Sequence, residues 1–189
     1  MLTEKAKEIL GNASDKMMDA VAFLEEDLKT YRVGKANPSI LNNVTVDYYG
    51  TATPVPQVAS VTTPDARTIA IQPWERSMIP VIEKAIMAAN LGFTPQNNGE
   101  VIRCPIPPLT EERRKELIKK AKAAGENTKI AIRNCRRDAV DALKKAEKAG
   151  DFSEDVRGEG ETEVQKVTDT HTKKVDEMVA AKEKEIMTV

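Results

Sequence analysis

Apolar residues recur at Leu2, Ala6, Ile9, Ala13, Met17, Ala20, Leu24 and Leu28, in steps of three and four. That spacing predicts one amphipathic helix, because residues so separated share a face. From Ala36 the period changes. The stretch ANPSILNNVTVDYYGTATPVPQVASV brings Pro, Asn, Gly and β-branched residues, with alternation in VTVDYYG and again in RTIAIQP, so strands and turns are predicted there. Ser77 stands where it can cap a short helix through MIPVIEKAIMAAN that stops near Gly92, and NNGEVIRCPIP predicts one more strand before the prolines.

After PPLTEERRKEL the helical period returns, with Thr110 as an N-cap followed by Glu111 and Glu112. Leu117, Ala121, Ala124, Thr128, Ala131, Cys135, Ala139, Ala142 and Ala146 hold one seam until Gly150. Such a helix is about 55 Å long at 1.5 Å per residue. Ser153, with Glu154 and Asp155 behind it, starts a last helix whose seam runs Val156, Val164, Val167, His171, Val175, Met178 and Ile186. No single long helix buries its own stripe. The expected arrangement is an α+β fold: an elongated antiparallel three-helix bundle from residues 1–31 and 107–189, with residues 32–106 inserted as a small β/α/β domain. The chain then crosses between domains twice, near 32–38 and 104–110. Val33, Gly34, Pro105, Pro107 and Pro108 supply the breakers, and paired short crossings of this kind predict a hinge.

Charge sharpens this picture. The formal net charge of the 189 residues is −1, with 31% charged and 4% aromatic residues. Yet residues 111–148 carry thirteen basic and seven acidic side chains, and residues 151–163 carry one basic and six acidic. Lys115, Lys119, Lys122, Lys129, Arg133, Arg136, Arg137 and Lys144 fall in a band roughly opposite the Thr128 seam, interrupted by Glu126. The Lys-rich stretches suit an ordinary solvated face. Arg133, Arg136 and Arg137 are different, because guanidinium forks match phosphate oxygens bidentately and repel one another unless an anion faces them. This ridge points to a nucleic-acid backbone. With no aromatic interleaved, recognition by shape and phosphate is expected.

Other chemistries find little support. Two cysteines, Cys104 and Cys135, lack CxxC spacing and His171 is the only histidine, so neither a disulfide framework nor a zinc site is suggested. His171 and Cys135 both lie on seams and read as packing residues. VGKANPS lacks the G-x-x-x-x-G-K-[ST] spacing of a phosphate loop, and no cofactor or catalytic residue is expected. No run approaches the eighteen or so apolar residues that span a bilayer, and MLTEKAKEIL lacks the basic and apolar regions of an export signal. Tyr48, Tyr49 and Trp74 either form a contact patch on the inserted domain or, as strand-bordering residues more often do, join its core.

Taken together and in order, VGKANPSIL, VDYYG, RSMIPVIEKAIMAANLG, PPLTEERRKEL, IRNCRRDA and SEDVR resemble the ribosome recycling factor family nearly from end to end. The resemblance implies an L-shaped pair of domains, a three-helix bundle hinged to a β/α/β domain. It implies a non-enzymatic, monomeric factor that enters the ribosome after termination and lays its bundle on large-subunit rRNA. With elongation factor G and GTP it would split the subunits and release mRNA and tRNA. Its RNA contacts would map to Arg133, Arg136 and Arg137, with Lys122 and Lys129 on the same ridge and Arg32 and Lys35 at the first crossing. There the family often reads RxGRASP and this chain reads RVGKANP, so Lys35 offers a point charge in place of a fork. The missing Arg- and Ser-rich leader favours a bacterial cytoplasm. The alternative is a helical adaptor that binds RNA or an acidic protein through the same ridge without remodelling it.

Overall fold

The computed structural model describes residues 1–188. Its elements run α1 (Glu4–Lys29), β1 (Thr45–Tyr48), β2 (Thr51–Pro54), β3 (Ala59–Asp65), β4 (Thr68–Pro73), α2 (Ile79–Ala88), β5 (Gln96–Asn97), β6 (Ile102–Pro105), α3 (Glu111–Lys148) and α4 (Glu154–Thr188). The fold is α+β. The chain separates into two compact units, one of Met1–Tyr31 with Glu111–Thr188, the other of Arg32–Thr110. Residues 107–110 thus group with the inserted unit and not with the bundle.

In the bundle, α1 runs antiparallel to α3 and parallel to α4. The Met1 amino group meets Glu159 at 3.0 Å at one end, and Lys120 lies 4.5 Å over the Tyr31 ring at the other. Thr3 caps α1, its hydroxyl accepting from the Ala6 amide at 3.3 Å. Gly150, at φ 81, closes α3 with the Asp151 amide donating back to the Ala146 carbonyl, a turn that only a residue tolerant of positive φ makes without strain. Arg157 then clasps this corner, reaching Glu147 at 2.5 Å and Glu161 at 2.9 Å.

The core lies where the helical period put it along α1, with Ala6, Ala13, Met17, Leu24 and Leu28 buried and Val21 joining them. In α3 the expected seam is buried at Leu117, Ala121, Thr128, Ala139 and Ala146. The stripe is nonetheless turned toward Gly125, Ile132 and Leu143, which are also buried, whereas Ala124, Ala131, Cys135 and Ala142 stay half-buried. In α4 the buried line is Gly160, Val164, Thr168, Val175 and Ile186, and Val167, His171 and Met178 flank it. Glycine explains both shifts. A Cβ on Gly125 would stand 2.6 Å from Val179 Cγ2, and one on Gly160 would stand 3.1 Å from the Leu143 methyls, so α3 and α4 approach through missing side chains.

The inserted unit pairs all its strands antiparallel, β1 with β2 and, in a second sheet, β3-β4-β6-β5. Ile69 and Ile71 of β4, Ile102 and Cys104 of β6, and Ile79, Ile82 and Ile86 of α2 form the core between sheet and helix. Strands β2 and β3 are mostly polar, which is why alternation alone did not resolve them. Ser77 does not cap α2. It lies in a 3-10 turn before Ile79, and the helix opens on Pro80 without a side-chain cap, since proline removes one of the amides a cap would serve. Tyr49 and Trp74 are also not core: they are 80% and 69% exposed, while Tyr48 is half-buried.

The helical glycines give a paired test of this packing. Gly11 sits in α1 with open space around its Cβ position, so Gly11→Ala is expected to raise stability by about 0.5–1 kcal/mol through propensity alone. Gly125→Ala is expected to lower it by about 1–3 kcal/mol, since Val179 has to move. Urea denaturation of both variants checks the opposite signs.

Candidate nucleic-acid interface

The rotation of α3 sorts its cations. Measured from Thr128 at about 100° per residue, Lys122, Lys129 and Arg136 stand roughly 120°, 100° and 80° around the helix, on the side that Gly125 and Leu143 turn to α4. Arg133 and Arg137 stand roughly 140° and 180° away, on the outward face. The band read from the sequence as one ridge is therefore two rows.

In the row beside α4 both lysines meet its carboxylates. Lys129 is only 17% exposed, ion-paired to Asp176 and, at 3.3 Å, to Glu126. The hydrogen bond it donates to Asp176 raises its pKa and commits its charge inward. Lys122 reaches Glu183 at 3.4 Å. Arg136 is half-buried and donates to Gln165 Oε1 at 3.3 Å, a neutral acceptor that leaves its charge unanswered.

The outward row is free. Arg133 is exposed with no hydrogen bond or ion pair among the described residues, and Arg137 is exposed with only Asn134 Oδ1 at 3.3 Å. They stand one turn apart, the spacing at which like charges repel, and neither makes an ion pair with a carboxylate among the described residues. Ile130, 49% exposed, and Asn127 border the same strip, and sequence reasoning passed over both because neither is charged. An exposed isoleucine between cations is the one signal that marked them.

At the first crossing, Arg32 is exposed and donates to the Leu91 carbonyl at 3.3 Å, while Lys35 is exposed without a partner among the described residues. Val33 and Gly34 are buried, Gly34 with φ 74. Two backbone bonds tie this segment and the return to neighbouring residues of one turn: Ala36 N to Ala66 O at 2.8 Å and Ile106 N to Arg67 O at 2.7 Å. Pro105 pairs with Thr68 in β6, so of the breakers singled out in the sequence only Pro107 and Pro108 lie past the last of these ties.

The remaining reactive groups are packed. His171 is half-buried and its Nδ1–H donates to the Val167 carbonyl at 2.8 Å. Cys104 is fully buried, and burial pushes its thiol up to about 11. Cys135 lines a cleft with Ile9, Asn12, Lys16 and Asp138, and its pKa is also raised by burial, with Lys16 opposing. The described residues contain no cluster of His, Cys, Asp or Glu able to hold a metal ion, and no helix long and apolar enough to cross a membrane.

These features define an α+β protein in which an inserted antiparallel unit interrupts a three-helix bundle that presents a cationic helix face. A family model described as ribosome recycling factor matches residues 24–187, and the chain belongs to that family. It is 55% identical over 183 residues to a ribosome-recycling factor of Porphyromonas gingivalis, covering 97% of this chain and 98% of that one. It is 52% identical over 188 residues to that of Flavobacterium johnsoniae, covering 100% of both. Among solved structures it is similar to a solution structure of the ribosome recycling factor, with TM-score 0.74 and 33% identity over 100% of both chains. It is also similar to the T. thermophilus factor described with E. coli elongation factor G on the E. coli post-termination complex, with TM-score 0.60 and 41% identity over 98% of this chain and 99% of that one.

The thiols give a direct check on the packing. In the native protein at mildly alkaline pH, Cys135 is expected to react with a soluble disulfide reagent well before Cys104, whose labelling should wait on unfolding. Equal rates would mean that the inserted unit's core opens as readily as the bundle cleft.

Proposed function

We propose that this chain binds the post-termination ribosome through large-subunit rRNA and, with elongation factor G and GTP, separates the subunits so that mRNA and tRNA leave. The observation that carries the RNA contact is the pair Arg133 and Arg137, outward and without a protein counter-charge, on a chain of this family. Arg136 extends the contact from the edge of the strip. Lys122 and Lys129 contribute long-range potential more than direct bonds, since phosphate has to compete with Glu183 and Asp176 for them. Arg32 and Lys35 form a second, smaller contact. The chain turns over no substrate and acts as a monomer in the cytoplasm; the free energy of splitting comes from the partner's GTP.

The mechanism is mechanical. A 38-residue helix held by its neighbours is stiff, so phosphate contacts along α3 fix the bundle as a body. Elongation factor G acts on the inserted unit, and the force passes to the bundle through the two crossings. The ties at Ala36 and Ile106 confine the flexible part to residues 32–35 and 107–110.

Replacing Arg133 and Arg137 with alanine is expected to change stability by no more than about 0.5 kcal/mol. Each lost charge-assisted bond should weaken ribosome binding roughly tenfold to a hundredfold. Arg136→Ala, whose guanidinium already has a protein acceptor, should cost less, and wild-type binding should fall steeply with salt. Co-sedimentation with vacant ribosomes measures all of these, and wild-type binding by the double variant at moderate ionic strength would remove the ridge from the mechanism.

Force transmission has its own test. Inserting a short Gly-Ser segment after Lys35 and another after Pro108 slackens both crossings while leaving α3 untouched. Ribosome binding should persist and subunit release with elongation factor G and GTP should largely disappear, as read by sucrose-gradient profiles. Release at the unmodified rate would show that the crossings transmit nothing, and binding without release by the unmodified chain would make it an adaptor.

A further inference from the structure

The inserted unit carries a second surface that the ridge reading does not use. The β1–β2 hairpin turns through Tyr49 and Gly50, with φ of 50° and 84°. A two-residue turn with both φ positive favours Asn or Gly, so tyrosine at its first position is costly to the fold and gains nothing from burial, being 80% exposed. The Asp47 carboxylate accepts from the Gly50 amide at 2.8 Å and braces the turn. The Tyr48 and Tyr49 rings meet edge to face with centroids 4.7 Å apart. Their hydroxyls donate to the two different oxygens of Glu75, each at 2.9 Å. Next to Glu75, Trp74 is 69% exposed, its amide held by the Val58 carbonyl at 3.3 Å.

Tyr48 and Tyr49 are thus fixed on Glu75 before any partner arrives, and the exposed Trp74 precedes that carboxylate in the chain. Rigid aromatics of this kind are the residues that dominate protein interfaces. The local charge selects the partner. Asp47, Glu75 and Glu100 are carboxylates. Of the nearby cations, Arg76 is bound to Glu100 at 2.6 Å and Lys84 lines a cleft with Asp47. Glu75, which meets only tyrosine hydroxyls, is the carboxylate with no cation on it among the described residues. A phosphate backbone is disfavoured beside it. A guanidinium, by contrast, stacks on the exposed faces of Trp74 and Tyr49 and finds unused lone pairs on Glu75.

We propose that the Tyr49, Trp74 and Glu75 tip is a docking site for an arginine-presenting segment of a partner protein. It is independent of the α3 ridge, lies on a different unit, and stands whether or not that ridge binds RNA.

Trp74 is the only tryptophan, so its emission reports on this tip alone. The full chain would be titrated with a short peptide alternating arginine and glycine, with the glutamate counterpart of that peptide, and with a short single-stranded RNA. The arginine peptide should produce a saturable change in Trp74 emission, and the other two should not. Glu75→Gln should weaken the apparent affinity roughly tenfold and Tyr49→Ala roughly fivefold. Circular dichroism would confirm that both variants keep the fold. No saturable response to the arginine peptide, an equal response from Glu75→Gln, or a tighter response to RNA would each overturn the assignment.

Discussion

The close approach of α3 and α4 governs this molecule. Neither helix carries enough apolar surface to stand alone, and mean hydropathy over the chain is −0.46. What they have are Gly125 and Gly160, positions where the facing helix moves in against bare backbone. Val179 and Leu143 fill those gaps, and the fit permits only a narrow range of rotation about each axis. What α3 shows to its surroundings follows from that rotation.

The consequence is an unequal distribution of charge around one helix. On the α4 side Lys129 and Lys122 are spent on Asp176 and Glu183 while Arg136 meets only the neutral Gln165, and on the far side Arg133 and Arg137 meet no carboxylate among the described residues. This is an economical way to build a phosphate-seeking face in a chain with almost no net charge, because the acidic residues of α4 quench one row and leave the other. On the proposed reading, binding strength depends on Arg133 and Arg137 being unanswered, and orientation depends on the stiffness that the same helix contact provides.

The inserted unit solves a different problem. Of its six strands, three (β2, β3 and β5) are largely polar, so its order rests on the isoleucine core between β4, β6 and α2. With that core assured, the β1–β2 turn can carry a tyrosine at positive φ and hold it with Glu75. The bundle thus presents cations and the inserted unit presents aromatics framed by carboxylates. On the proposed readings these surfaces suit chemically distinct partners.

The sequence by itself determined where the helices run, because a strong period of three and four survives whatever packs against it. Local chemistry placed the inserted segment equally well: Pro, Asn and Gly change the backbone preferences of residues near 36 and 107 regardless of tertiary context. The concentration of arginine in α3 was equally plain. What sequence did not determine was the rotation of α3. Its seam is mostly alanine, and alanine is tolerated both in and out, so a run of alanines leaves the centre of the stripe undefined by some tens of degrees. Gly125 and Gly160 carry no periodic signal of their own, yet they set the contact, and only the positions of Val179 and Leu143 across the interface reveal that. The same holds at the hairpin tip. Tyr49 and Trp74 read either as a contact patch or as strand-bordering core residues, because hydrophobicity says nothing about which side of a turn faces water; tertiary structure decided it, by filling the core with isoleucine and leaving these two aromatics outside.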